Sequence, residues 1–169
     1  MVLNFSEGLF NQSNFDNVGL NSLSSNINNV AILLRRITNQ TINNNLLTNV
    51  LYDQIVFQTD QVSYDGATGK VTILEDGVYL IVANASWASN ATGYRRVHII
   101  TNPATWNDLA QNFMDASATG FAAHGATSIS SLKAGTEIYC YVSQTSGGAL
   151  NISVAATNFA VFQLIKVSL

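Results

Sequence analysis

The sequence predicts an all-β sandwich preceded by a short α-helical coiled-coil stem and an extended N-terminal arm. Three observations carry that prediction. From residue 51 onward, short runs of β-branched and aromatic residues alternate with polar ones and are cut by glycine, asparagine and aspartate, the pattern of many short strands. Between Leu20 and Ile37, six apolar residues recur at spacings of three and four, which places them on one helical stripe. Residues 1–49 hold thirteen asparagines and only four charged residues, and Phe5, Phe10 and Phe15 recur at a period that neither helix nor strand shares. The domain plan is an arm over 1–19, a stem over 20–45 and a head over 46–169.

The arm reads as a chain of poor intrinsic order. Its three spaced phenylalanines are of the residue type that anchors interfaces, so it is also a candidate docking peptide. In the stem, Leu20, Ile27 and Leu34 form one heptad core set and Leu23, Val30 and Ile37 the other, a mixture that suits a trimer at least as well as a dimer. These eighteen residues would span about 27 Å of helix, marginal alone in so asparagine-rich a sequence, so the head must supply much of the trimer's stability. The competing reading is an amphipathic helix packed on its own domain.

In the head, Ile55 and Phe57 alternate with Gln54, Val56 and Gln58 before a polar break. Asp65-Gly66 and Thr68-Gly69 are turn signals, because positive φ is easily reached there. Val71 and Ile73 alternate with Lys70 and Thr72, and Glu75-Asp76-Gly77 turns the chain into Val78 to Val82. That run is too apolar to face water on both sides and reads as a central strand.

These residues resemble the C1q/TNF-like jelly-roll family: Tyr64-Asp65 and Thr68-Gly69 before a strand, then Gly77-Val78-Tyr79 opening the next. Leu132-Lys133-Ala134-Gly135-Thr136-Glu137-Ile138-Tyr139 resembles a second part of the pattern, and Phe159 with Phe162 resembles its closing aromatic strand. Val161 departs from it, since a glycine usually separates the two aromatics. The resemblance spans roughly Leu51 to Leu169. It implies a jelly-roll head and a homotrimer whose heads pack through one sheet around a threefold axis.

The remaining segments fit that head. Ala83 to Ala91 carries Trp87 and ends in a turn at Asn90 to Gly93. Tyr94 to Thr101 is a strand with Val97, Ile99 and Ile100 inward, whereas Thr101 to Met114, with Pro103 and Trp106, is the least regular section. Phe113 to Phe121, Ala126 to Leu132, Thr136 to Gln144, Leu150 to Ala155 and Asn158 to Val167 complete eight to ten strands at the spacing of a sandwich, with no helix.

Composition narrows the partners. Charged residues make up 10% of the chain and apolar ones 47%, a scarcity of charge that points to surface buried against other subunits. A formal net charge of -3 gives no basic field for nucleic acid. The first residues lack the basic and continuous apolar regions of a secretory signal, and no apolar stretch approaches the roughly 20 residues of a membrane span. The lone Cys140 sits in an apolar strand and reads as an inert core thiol. Six N-x-[ST] sequons, at Asn4, Asn11, Asn39, Asn84, Asn90 and Asn151, are expected by chance among twenty asparagines and read as unused.

The chemistry-bearing residues do not assemble into a reaction centre. His98 and His124 lack partners at metal-ligand spacing, and neither a nucleophile elbow nor a phosphate loop occurs. Asp108 and Asp115 are the only acids in an aromatic-bearing irregular region, and sequence separation does not supply the carboxylate distance that glycoside hydrolysis needs. The expectation is a protein without catalytic, cofactor-binding or metal residues. The candidate ligand-stacking residues are Trp87, Tyr94 and Trp106.

An asparagine-rich, charge-poor, leaderless chain with a docking arm resembles bacteriophage virion surface proteins assembled in the host cytoplasm. Two roles compete. As a capsid decoration (cement) or head-fibre protein, the arm would hold the major capsid protein or another virion protein. As a tail-fibre tip, the head would bind a host-surface glycan or protein. A soluble C1q/TNF-like ligand is a third reading, and it would require a secretion route.

Overall fold

The computed structural model describes residues 30–116, 122–152 and 159–167. Its strands are β1 (Ala31–Arg36), β2 (Gln40–Ile42), β3 (Thr48–Asn49), β4 (Gln54–Gln58), β5 (Val62–Asp65), β6 (Lys70–Ile73) and β7 (Gly77–Trp87). They continue as β8 (Tyr94–Thr101), β9 (Asn107–Asp115), β10 (Ala122–Leu132), β11 (Glu137–Gln144), β12 (Leu150–Ile152) and β13 (Ala160–Lys166). No helix occurs among the described residues, and none there is long and apolar enough to cross a membrane.

Two antiparallel sheets face each other in a jelly-roll-like sandwich. One runs β2-β12-β7-β13-β1-β4, with β10 also on β7; the other runs β5-β6-β11-β8-β9, with β3 also on β11. Strand β7 is the hub, because Tyr79 to Asn84 pair with β13 on one edge and β10 on the other. Along this strand Tyr79 and Ile81 point into the core while Val78, Leu80 and Val82 are half-buried on the outward face, so the run is apolar on both sides.

The core follows the two-residue period of the strands. From the first sheet Ile32, Leu34, Tyr79, Ile81, Ala83, Ala85, Trp87, Phe162 and Leu164 point inward; from the second, Val71, Ile73, Val97, Ile99, Ile138, Cys140 and Val142 meet them. Burial pushes the Cys140 thiol up to about 12, so it packs as a small apolar group.

The predicted turns lie where their chemistry required. Gly69 has φ +67°, and the Asp65 carboxylate accepts from the Ala67 amide at 3.0 Å and the Thr68 hydroxyl at 2.6 Å, closing the β5–β6 hairpin. Glu75-Asp76 joins β6 to β7. Gly125 is needed for a different reason: a Cβ there would lie 2.4 Å from the Ala83 carbonyl oxygen on β7.

Two expectations are corrected. The stem does not continue as a helix through residue 45. Ala31–Arg36 is a strand, with Ile32 opposite Leu164 and Leu34 opposite Phe162, and Gln40–Ile42 is a second strand, so the head begins no later than residue 30. Val30, Ile32 and Leu34 also satisfy a strand period, and the open edge of β13 supplies the hydrogen bonds that a helix would otherwise make internally. The section read as least regular is also ordered: Asn107–Asp115 forms edge strand β9, whose largely exposed side chains leave no apolar alternation to detect.

Candidate functional site

The outward face of the seven-stranded sheet is the first candidate surface. Strand register builds it in cross-strand rows: Phe57, Leu33, Gln163, Val82 and Thr127 form one, and Ala31, Ile165, Leu80 and Ile129 the next. A third row holds Arg35, Val161, Asn84 and Gly125. Arg35 is the one charge in the three rows, and it stacks over Phe159 at 5.6 Å. Ile129 is 70% exposed and Phe57 52%, and Ile55 and Val56 beside them are also exposed. An apolar, nearly uncharged sheet face of this kind is the composition of an interface core.

The second surface is a cleft of about 300 Å³ on the outer face of the six-stranded sheet, lined by Asn45, Leu47, Tyr94, Arg96, His98, Trp106 and Ser143. Register sets its floor, since Arg96 pairs Ser143 and His98 pairs Tyr141 across β8 and β11. The β8–β9 turn brings in Trp106, whose φ of 48° is in the left-handed region that side chains rarely occupy. Its ring stands edge-on to His98 at 5.4 Å and to Tyr141 at 5.3 Å. Asp108 fixes this arrangement: one carboxylate oxygen lies 3.0 Å from His98 Nδ1, and the other accepts from Trp106 Nε1 at 3.1 Å. Arg96 lies over Tyr94 at 5.5 Å and Phe113 at 5.6 Å, two rings themselves 4.6 Å apart.

No protein-family model matches the sequence and no curated protein does. The backbone, in contrast, superposes on solved structures. Murine APRIL aligns with a TM-score of 0.63 at 13% identity, over 82% of this chain and 99% of its own. The Eiger TNF from S. frugiperda gives 0.61 at 15% identity, over 83% and 93%. The globular domain of zebrafish complement 1qA protein gives 0.58 at 16% identity, over 81% and 96%.

The fold is C1q/TNF-like.

Within this C1q/TNF-like head the sequence-predicted residues separate. Tyr94 and Trp106 share the cleft. Trp87 does not join them, and its assignment as a stacking residue is corrected: it is fully buried at the inner end of β7, beneath Arg95. Val30 and Leu34 are core residues, and Ile37, 44% exposed, lies just beyond β1, so these three do not form a helical seam. Phe5, Phe10, Phe15, Leu20, Leu23 and Ile27 lie outside the described residues.

Among the described residues no group of three or more His, Cys, Asp or Glu side chains could hold a metal. Among the described residues both ring nitrogens of His124 are buried without a hydrogen-bond partner; burial, then the Arg95 charge, pushes its pKa down to about 4. Sequence reasoning missed Arg96, His98 and Ser143 as cleft residues, and Phe113 and Tyr141 as the rings that pack against Arg96 and Trp106. Their signal was the polar-face alternation of Tyr94, Arg96 and His98 along β8, which acquires meaning only once β9 and β11 are set beside it.

Proposed function

We propose that this chain is a non-enzymatic, homotrimeric surface protein of a bacteriophage virion. In this reading it is a capsid decoration or head-fibre protein: residues 1–19 hold the shell, and the C1q/TNF-like head faces outward. The observation that carries the trimer is the outward face of the seven-stranded sheet, where apolar residues from five strands lie exposed (Phe57, Ile129) or half-buried (Leu33, Leu80, Val82, Ile165) with Arg35 as the one charge in three rows. Two further copies of the chain are the occupants, because a broad, nearly uncharged face can give one flank to each of two neighbours in a closed ring, and the fold resemblance implies threefold packing. The scarcity of charge in the whole chain supports the same assignment.

The aromatic cleft favours a second reading, the receptor-binding tip of a tail fibre, since it lies on the other sheet and stays open when the first sheet is covered. One pair of measurements tests both levels. Native mass measurement of the full chain should give a trimer, and Ile129→Asp should shift it toward monomer by burying an unpaired charge; a monomeric parent protein overturns the assembly. Labels at the C terminus, imaged on purified particles, should space evenly over an icosahedral shell. Labels confined to the tail would replace the capsid role with the tip.

A further inference from the structure

We infer that the cleft over β8, β9 and β11 binds an acidic sugar, with Arg96 receiving the carboxylate and Trp106 and Tyr94 walling the ring. The inference needs only the single C1q/TNF-like head, so it stands or falls apart from the virion reading. The seven cationic side chains of the protein differ in what holds them. Arg36, Lys70, Lys133 and Lys166 each pair with a carboxylate. Arg95 is buried and donates to three backbone carbonyls, and Arg35 lies over Phe159. Arg96 shares with Arg35 the lack of any such partner among the described residues, and unlike Arg35 it lines the cleft. Among the described residues it has neither a carboxylate nor a hydrogen-bond acceptor, its Nε is buried without a partner, and it lines a cleft.

The rings of Tyr94 and Phe113 hold the guanidinium by stacking, which fixes its plane while leaving its donors unspent. A planar fork prepared in this way matches a carboxylate. Asp108 does not fill that role, because both of its oxygens are committed to His98 Nδ1 and Trp106 Nε1, and Asp115, opposite Tyr94 on β9, makes no ion pair with Arg96. Asp108 thus sets the orientation of Trp106, and the left-handed backbone at Trp106 is a conformational cost of the kind retained where side-chain placement matters.

The other groups on the cleft wall suit hydroxyls. The Asn45 side-chain amide, the Ser143 hydroxyl and the second ring nitrogen of His98 have no protein partner among the described residues. A volume of about 300 Å³ accommodates one or two sugar rings. An aromatic wall, separate hydroxyl partners and a preset guanidinium are the requirements of a uronic or sialic acid residue, and a neutral sugar would leave Arg96 unused.

Ligand-observed NMR titration of the full chain with 3′-sialyllactose and with digalacturonic acid, using lactose as the uncharged control, tests this. At least one of the two acids should bind where lactose does not, and added salt should weaken it. Arg96→Gln should weaken binding about ten- to hundredfold, the loss of one charge-assisted contact, with native mass unchanged. Failure of both acids, equal binding of lactose or acetate, or parent-like affinity in Arg96→Gln overturns the assignment. If Arg96→Gln does not fold, the discrimination of the parent protein between acid and lactose decides alone.

Discussion

The guanidinium carbon of Arg95 sits 5.8 Å from the ring centre of Trp87, and both side chains are closed to solvent. No carboxylate pairs with Arg95 among the described residues. Its terminal nitrogens instead donate to the carbonyls of Asn90, Thr92 and Tyr94 at 3.1, 3.1 and 2.9 Å, tying the β7–β8 loop to the core. Burial lowers its pKa, which marks the cost of a desolvated cation. Arg95→Ala should therefore destabilise the head by about 2–4 kcal/mol through the cavity and the freed carbonyls. Arg95→Met, which keeps volume and removes the buried charge, should lose less. Urea denaturation at constant m checks both, and an Arg95→Ala protein as stable as the parent would contradict the role given to this loop tie.

Leu34 separates the strand from the helical seam that its spacing suggests. It is fully buried opposite Phe162, so Leu34→Ala should cost about 2–5 kcal/mol of head stability. The folded fraction should keep the parent's native mass. Dissociation without loss of stability would restore Leu34 to an intersubunit seam.

Acid should weaken the fold through its carboxylates. Burial acts to raise the pKa of Asp53, but hydrogen bonds from the Ile37 amide at 2.6 Å, the Thr38 hydroxyl and the Thr38 amide at 3.0 Å, with Arg36 nearby, hold it below the ordinary value. Asp65, Asp76 and Glu137 shift the same way, led by hydrogen bonds from Thr68, Lys133 and Lys70. A carboxylate whose folded pKa is depressed contributes stability above its unfolded pKa of about 4, and that contribution is lost as pH falls through the folded value. The denaturation midpoint should stay level from neutral to weakly acidic pH and drop below about pH 4. Asp53→Asn should make that drop shallower. An identical slope in the variant would remove Asp53 from the linkage.

Much of the sandwich was legible because its strands obey local rules. Val71 and Ile73, or Ile138, Cys140 and Val142, alternate with polar neighbours, and Asp65-Gly66 and Gly69 punctuate them. The candidate site was legible only in part. Tyr94 and Trp106 stood out as aromatics in polar sequence, but so did Trp87, and nothing local tells a tryptophan that fills a core from one that walls a cleft.

The sequence by itself determined the all-β class, the turns, the central position of Val78 to Val82 and the absence of a basic field, since each depends on neighbouring residues or on composition. Tertiary structure alone decided what lies beside what. Residues 30 to 37 carry apolar spacings compatible with either period, and the free edge of β13 selected the strand by offering backbone partners. The same long-range pairing placed Arg96 between Phe113 and Ser143, residues seventeen and forty-seven positions away, because register is set by hydrogen bonds between strands that the sequence leaves far apart.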